Sequence, residues 1–163
     1  MYENFASQML GHMQWANQQL YSVLATIPDE ALAMHAVHDD WTVARIATHL
    51  AGVSGRLVAR IEETEMPVDP EVPVHAAGVA EIGKTCLASD SRLVELSQAP
   101  DQPSTFDLFG TTTTQMRSIV LAQAVHHADE HRAQISGILA SNNLDVLNLD
   151  KLSLWYYNKI KTD

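Results

Sequence analysis

Residues 126–135 read HHADEHRAQI, and a helical reading of them decides what the rest of the chain must be. Successive residues of a helix turn by about 100°, so residues four apart differ by only about 40°. His127 and His131 then project side by side, and Val120, Ala124, Ile135 and Ile138 continue the same face. That face is the one expected to meet the core. Burying two imidazoles without partners is costly, because each brings ring nitrogens that must be satisfied. Neutral imidazole is a common ligand of divalent metals, and an i, i+4 pair spans one ion. The pair is therefore predicted to be part of a metal site whose third ligand comes from elsewhere.

Outward from this stretch, proline punctuates the chain at Pro28, at Pro67, Pro70 and Pro73, and at Pro100 and Pro103. A first helix is predicted from about Glu3 to Ile27, with Phe5, Met9, Met13 (or His12), Ala16, Leu20, Val23 and Ile27 on one face. A second begins at DWTVARIATHL, where Thr42 is placed to cap it and Trp41 and Ile46 to form a hydrophobic staple. Its buried stripe is Val43, Ile46, Ala47, Leu50, Leu57, Val58 and Ile61, and it ends before MPVDPEVP. A third lies within His75 to Ser97 on Val79, Ile82, Cys86 and Leu93. Thr105 to Phe109 alternates as a short extended arm. The fourth helix is expected to open at TTTTQ, with Thr112 and Gln115 as a capping box, and to stop at SNNLD. A short helix from about Leu149 to Ile160 closes the chain. The predicted fold class is all-α: one domain over residues 1–163, a four-helix bundle with a short C-terminal helix and no strand pair.

Bundles place their sites on facing helices, and the third nitrogen is nominated on that basis. His49, in IATHLAG, is the histidine inside the second helix and borders the stripe of Ile46, Leu50 and Val53. The remaining histidines fit less well. His35 and His38 fall in a loop, His75 at a linker edge, and His126 about 100° from His127. His12 lies near the inner stripe and is expected to pack there.

Composition narrows the function classes. The chain has 163 residues, 46% of them apolar, and a net charge of −10. A packed globule is expected. Nucleic acid and anionic membrane surfaces are not expected as partners, because both attract basic patches. Cys86 is the only cysteine, which excludes an intrachain disulfide, and it is expected to be a small buried hydrophobe. No signal peptide or membrane span is evident, so a cytoplasmic location is expected.

HMQWANQQLY, IATHLAG and HHADEHRAQI, in that order along the chain, resemble the three helix signatures of the DinB-like superfamily. The resemblance implies a four-helix bundle, often a homodimer, holding a divalent metal such as zinc, nickel or iron on three histidines. Carried over by position, these are His49, His127 and His131. It also implies a small-molecule substrate, since relatives include transferases and isomerases that use bacillithiol, mycothiol or glutathione. Gln123, His126, Glu130 and Ala133 depart from the signature without touching a nominated ligand.

Three protein ligands leave an open position, the pattern of a catalytic site. The expected function is a small-thiol-dependent S-transferase or a metal-assisted hydrolase. The competing class is a non-catalytic metal- or small-ligand-binding bundle. Glu130 is the nearest carboxylate in sequence and the candidate catalytic base. Gln134 is placed to hydrogen-bond a ligand, Arg56 lies seven residues beyond His49 near the same face, and Arg132 is expected in an outer ion pair.

Overall fold

The computed structural model describes residues 4–162. Four long helices form the body: α1 (Phe5–Leu24), α2 (Val43–Glu62), α3 (Ala76–Leu96) and α4 (Arg117–Ser141). Strands β1 (Pro103–Leu108) and β2 (Thr111–Met116) lie between α3 and α4, and α5 (Leu154–Thr162) follows a short 3-10 turn at Leu149–Leu152. In their principal contacts α1 and α2 each pack against both α3 and α4. The order around the bundle is thus α1, α3, α2, α4, with α1 and α2 on a diagonal. That arrangement makes α2 and α4 neighbours, the condition for His49 to reach the α4 pair.

Local chemistry explains the helix boundaries. Asn4 caps α1 by accepting from the Ser7 N–H, and Thr42 caps α2 by accepting from the Arg45 N–H. Glu3, where the first helix was expected to begin, lies outside the described residues. The buried face of α1 keeps Met13, Ala16 and Leu20 of the expected stripe, with Ile27 buried just beyond its end, whereas Phe5 is 75% exposed. Leu10, Asn17, Tyr21 and Leu24 are buried as well, because α1 packs on both α3 and α4 and its buried face is wider than one stripe. Gly83 of α3 meets Tyr21 so closely that a Cβ there would lie 2.8 Å from that ring. The glycine lets the helices approach.

The expected capping box at Thr112 and Gln115 is not one. TTTTQ is strand β2, paired antiparallel with β1 from Pro103↔Met116 to Leu108↔Thr111. β-branched threonines suit a pleated strand better than a helix start, and Thr105 and Thr114 join their hydroxyls across it at 3.0 Å. The turn is Phe109-Gly110, both with positive φ (54° and 81°), the handedness a two-residue hairpin needs. Asp107 accepts from the Gly110 N–H at 3.1 Å. The fourth helix therefore begins at Arg117, and Asp101 supplies its cap from outside, accepting from the Ser118 N–H at 2.9 Å and hydroxyl at 2.8 Å.

One polar cluster crosses the core. Asp90 of α3 accepts from Asn17 of α1 at 2.8 Å and from Ser54 of α2 at 2.9 Å. Arg132 of α4 donates to Asn17 and to Asp129. The outer ion pair expected for Arg132 is thus half right. Asp129 is its partner and is exposed, but the guanidinium is 3% exposed and ties α4 to α1. Cys86 is buried as expected, with Sγ 3.7 Å from Asp90. Burial holds its thiol well above the usual range, so the nearby carboxylate does not activate it.

Candidate metal centre

His49 sits two turns into α2, and His127 and His131 sit mid-way along α4. Packing of α2 on α4 brings the three rings to one point. His127 Nε2 lies 3.1 Å from His49 Nε2 and 2.9 Å from His131 Nε2. Among the described residues these three form a group of metal-capable donors whose ligand atoms all lie within 4.8 Å of one another. Ligand nitrogens about 2.0–2.1 Å from a tetrahedral zinc lie about 3.3 Å apart, close to the observed spacing.

Hydrogen bonding fixes one tautomer. The Trp41 indole N–H donates to Gln134 Oε1 at 3.2 Å, and His131 Nδ1 meets the same oxygen at 2.9 Å. Indole nitrogen is donor only, so this atom of Gln134 is its carbonyl oxygen, and His131 Nδ1 must carry the proton. The neutral ring then presents a lone pair at Nε2 towards the other two histidines. A proton on His127 Nε2 can serve both neighbours only as a divided hydrogen bond. A divalent cation satisfies all three lone pairs, so the donor set fits such an ion.

Trp41 was expected to staple the start of α2. Its ring lies edge-on to His49 (centroids 5.3 Å apart) and to His131 (5.9 Å), so it walls the centre on one side. Nothing in the local sequence signals this, because the contact to α4 is purely tertiary. Removing the Gln134 acceptor frees the His131 ring and its tautomer. Partners of this kind are worth about 10–100-fold in metal affinity. Gln134→Ala is expected to weaken zinc binding to that extent in a chelator competition, and an unchanged affinity would refute the orienting role.

Burial and the neighbouring positive groups make His49 and His127 hard to protonate. His49 is pushed down to about 4 from an ordinary 6.5, first by burial and then by the positive field of His131, Arg56 and Arg45. His127 is pushed to about 3, by burial and then by His131 and His49. Both folded-state values lie below the unfolded one. The unfolded chain therefore binds more protons between about pH 6.5 and pH 3. Stability of the metal-free protein is fully present above pH 6.5 and is lost as pH falls through that window. Urea midpoints of the metal-stripped protein at pH 7.5 and pH 5 should show the drop, and it should shrink in a His49→Gln, His127→Gln double variant.

The other nominated residues fall elsewhere. Glu130 is exposed and faces His126 at 3.6 Å. His35 and His38 are exposed in the connection before α2. His75 pairs with Asp29 at 2.8 Å. His12 is buried against Trp15 and Tyr157, and its Nε2 meets the Leu152 carbonyl at 2.6 Å.

His49 and His127 open onto a cleft of about 530 Å³ between α2, α4 and the hairpin. Val53, Leu57, Phe106, Leu108 and Ile119 give it apolar walls, and Arg56, Arg60, Gln115 and Gln123 supply polar groups. Arg60 and Gln123 were not anticipated as cleft residues. Arg60 follows Arg56 by one turn, a spacing that would have marked it.

Residues 1–150 match the model of the DinB family. The chain belongs to the DinB family. No curated protein matches it. Solved structures do, among them a DinB-like protein from Bacillus cereus at 20% identity and a TM-score of 0.65, covering 88% of this chain and 95% of that one. At this identity the likeness shows the fold, and the DinB-like helical bundle is the fold seen here. No helix among the described residues is long and apolar enough to cross a membrane.

Proposed function

We propose that this DinB-family chain is a divalent-metal-dependent enzyme that joins a small thiol to an electrophilic small molecule, with His49, His127 and His131 as the metal ligands. The observation that carries the reading is the convergence of three Nε2 atoms at the inner end of an apolar cleft. A metal held there would supply the Lewis acidity that converts a thiol to its thiolate at neutral pH. Trp41 and Gln134 keep the His131 ring oriented. The walls of Val53, Leu57 and Phe106 keep water from the reacting atoms. In the transfer the sulfur forms a bond to the electrophilic carbon, the bond to the leaving group breaks with its electron pair, and the thiol proton passes to solvent.

Hydrolysis is the second reading, and one observation ranks it lower. Among the described residues no carboxylate lines the cleft, and the candidate base Glu130 is exposed beside His126. Water attack needs a general base more than thiolate attack does, because a thiolate is already strongly nucleophilic. A homodimer belongs to the same reading.

Protein purified without a metal-affinity tag is expected to carry about one equivalent of transition metal by elemental analysis. The metal-loaded protein should accelerate conjugation of glutathione, bacillithiol or mycothiol to 1-chloro-2,4-dinitrobenzene, with chloride released. No rate above buffer with any of the three, metal being bound, would sink the transferase reading. A chain that takes up no metal, with unfolding unaffected by added zinc, would leave the ligand-binding bundle in its place.

A further inference from the structure

The cleft beside the histidines carries an unmatched positive charge. Arg60 of α2 lines it, stacked over the Phe106 ring at 5.3 Å. Its Nε is buried with no hydrogen-bond partner among the described residues. An unsatisfied buried donor on a cation is costly. No ion pair joins Arg60 to an acid among the described residues. Glu62 pairs with Arg92, Glu63 accepts from the Thr105 N–H, Asp107 accepts from the Gly110 N–H, and Asp69 pairs with Arg56. Arg56 and Arg60 stand one turn apart, and Asp69, itself exposed, pairs with Arg56 alone. In a chain of net charge −10, a cleft that leaves Arg60 without a counter-ion among the described residues is a specific feature of that site.

We infer that this cleft binds an elongated organic anion, its carboxylate held by the Arg60 guanidinium beside Arg56 and its apolar body laid along Phe106, Leu108 and Ile119 towards the histidines. The planar fork of an arginine matches a carboxylate in two parallel hydrogen bonds, and no hydrogen bond or ion pair among the described residues occupies the terminal nitrogens of Arg60. One unpaired guanidinium calls for one negative charge. Arg56 and Arg60 stand seven and eleven residues beyond His49, about 10 and 16 Å along the helix axis. Side chains lean towards the helix N-terminus, and the long arginine stem reaches back further than an imidazole, so the Arg60 guanidinium stands nearer the histidines than its backbone separation. A compact anion such as acetate cannot touch both ends, whereas a medium-chain carboxylate can. The inference deepens the proposed function by naming a substrate or thiol class, and it rests on that reading for the end at the histidines.

Calorimetry with zinc-loaded protein tests it, using 8-mercaptooctanoate and 8-mercaptooctanol as probes. The carboxylate is expected to bind about tenfold more tightly, equivalent to about 1.4 kcal/mol. Arg60→Gln should erase that preference while leaving the zinc content unchanged, and Lys84→Gln, on the exposed face of α3, should keep it. Ile119 is 56% exposed on the cleft wall, so Ile119→Glu should fold and should erase the preference by offering Arg60 an internal carboxylate. Equal binding of the two probes by the unmodified protein, or binding of neither, overturns the inference. A preference that survives both cleft variants overturns it as well. Should the protein take up no zinc, the proposed function fails. Octanoate against octanol on the same metal-free protein then still decides the anion site.

Discussion

His127→Ala should lower zinc affinity by at least about a hundredfold. Metal held by protein ligands is worth on the order of 10 kcal/mol or more in total, so each of three ligands carries about 3–4 kcal/mol, and 1.4 kcal/mol is a factor of ten. His127 is the strongest choice because its Nε2 is the atom within 3.1 Å of both other rings. His49→Ala and His131→Ala should follow closely. His35→Ala and His38→Ala, exposed in the loop before α2, should leave affinity unchanged. Competition against a chromogenic chelator at pH 7.5 measures all five. Equal losses across them would end the assignment of His49, His127 and His131 as ligands, whatever the protein's activity.

Arg132→Ala should destabilise the fold by about 2–4 kcal/mol, the cost of leaving a buried amide oxygen without its charged donor together with the cavity left behind. The guanidinium is 3% exposed and reaches Asn17 on α1 and Asp129 on its own helix. Removing it leaves the Asn17 carbonyl without its donor and opens a cavity where four helices meet. It also takes away the positive charge that helps hold down the pKa of Asp90, whose carboxyl burial already pushes up against the hydrogen bonds of Asn17 and Ser54. Arg132→Lys should recover only part of the loss, because one ammonium cannot reproduce two separately directed N–H groups. Urea unfolding of the metal-free protein gives both values. A loss under 1 kcal/mol for Arg132→Ala would show that the cluster is not a structural tie. Because Arg132 directly follows His131, a loosened α4 should weaken zinc binding too, and that effect should scale with the stability lost.

Much of this could be read before any coordinates. The 3.6-residue recurrence of apolar side chains located α2, α3 and α4 to within a few residues, and Thr42 marked its helix start because capping is local chemistry. The nomination of His49, His127 and His131 rested on the same periodicity: polar rings on a stripe that must be buried require partners. Other features were invisible for physical reasons. TTTTQ satisfies a capping-box spacing and a strand alike, and only the pairing of Thr105 with Thr114 across the Phe109-Gly110 turn separates them. The buried face of α1 extends past the expected stripe to Leu10, Asn17, Tyr21 and Leu24, because a helix packed against two others buries more than one stripe.

The sequence by itself determined the helical class, the helix faces and which imidazoles must turn inward, because these depend on spacing along one chain. Tertiary structure alone decided that α2 lies beside α4, that Trp41 and Gln134 orient His131, that Arg132 is buried, and that Arg60 reaches a cleft with no acid to meet it. Each of those contacts joins segments far apart in the chain, and its energy exists only once the helices have packed.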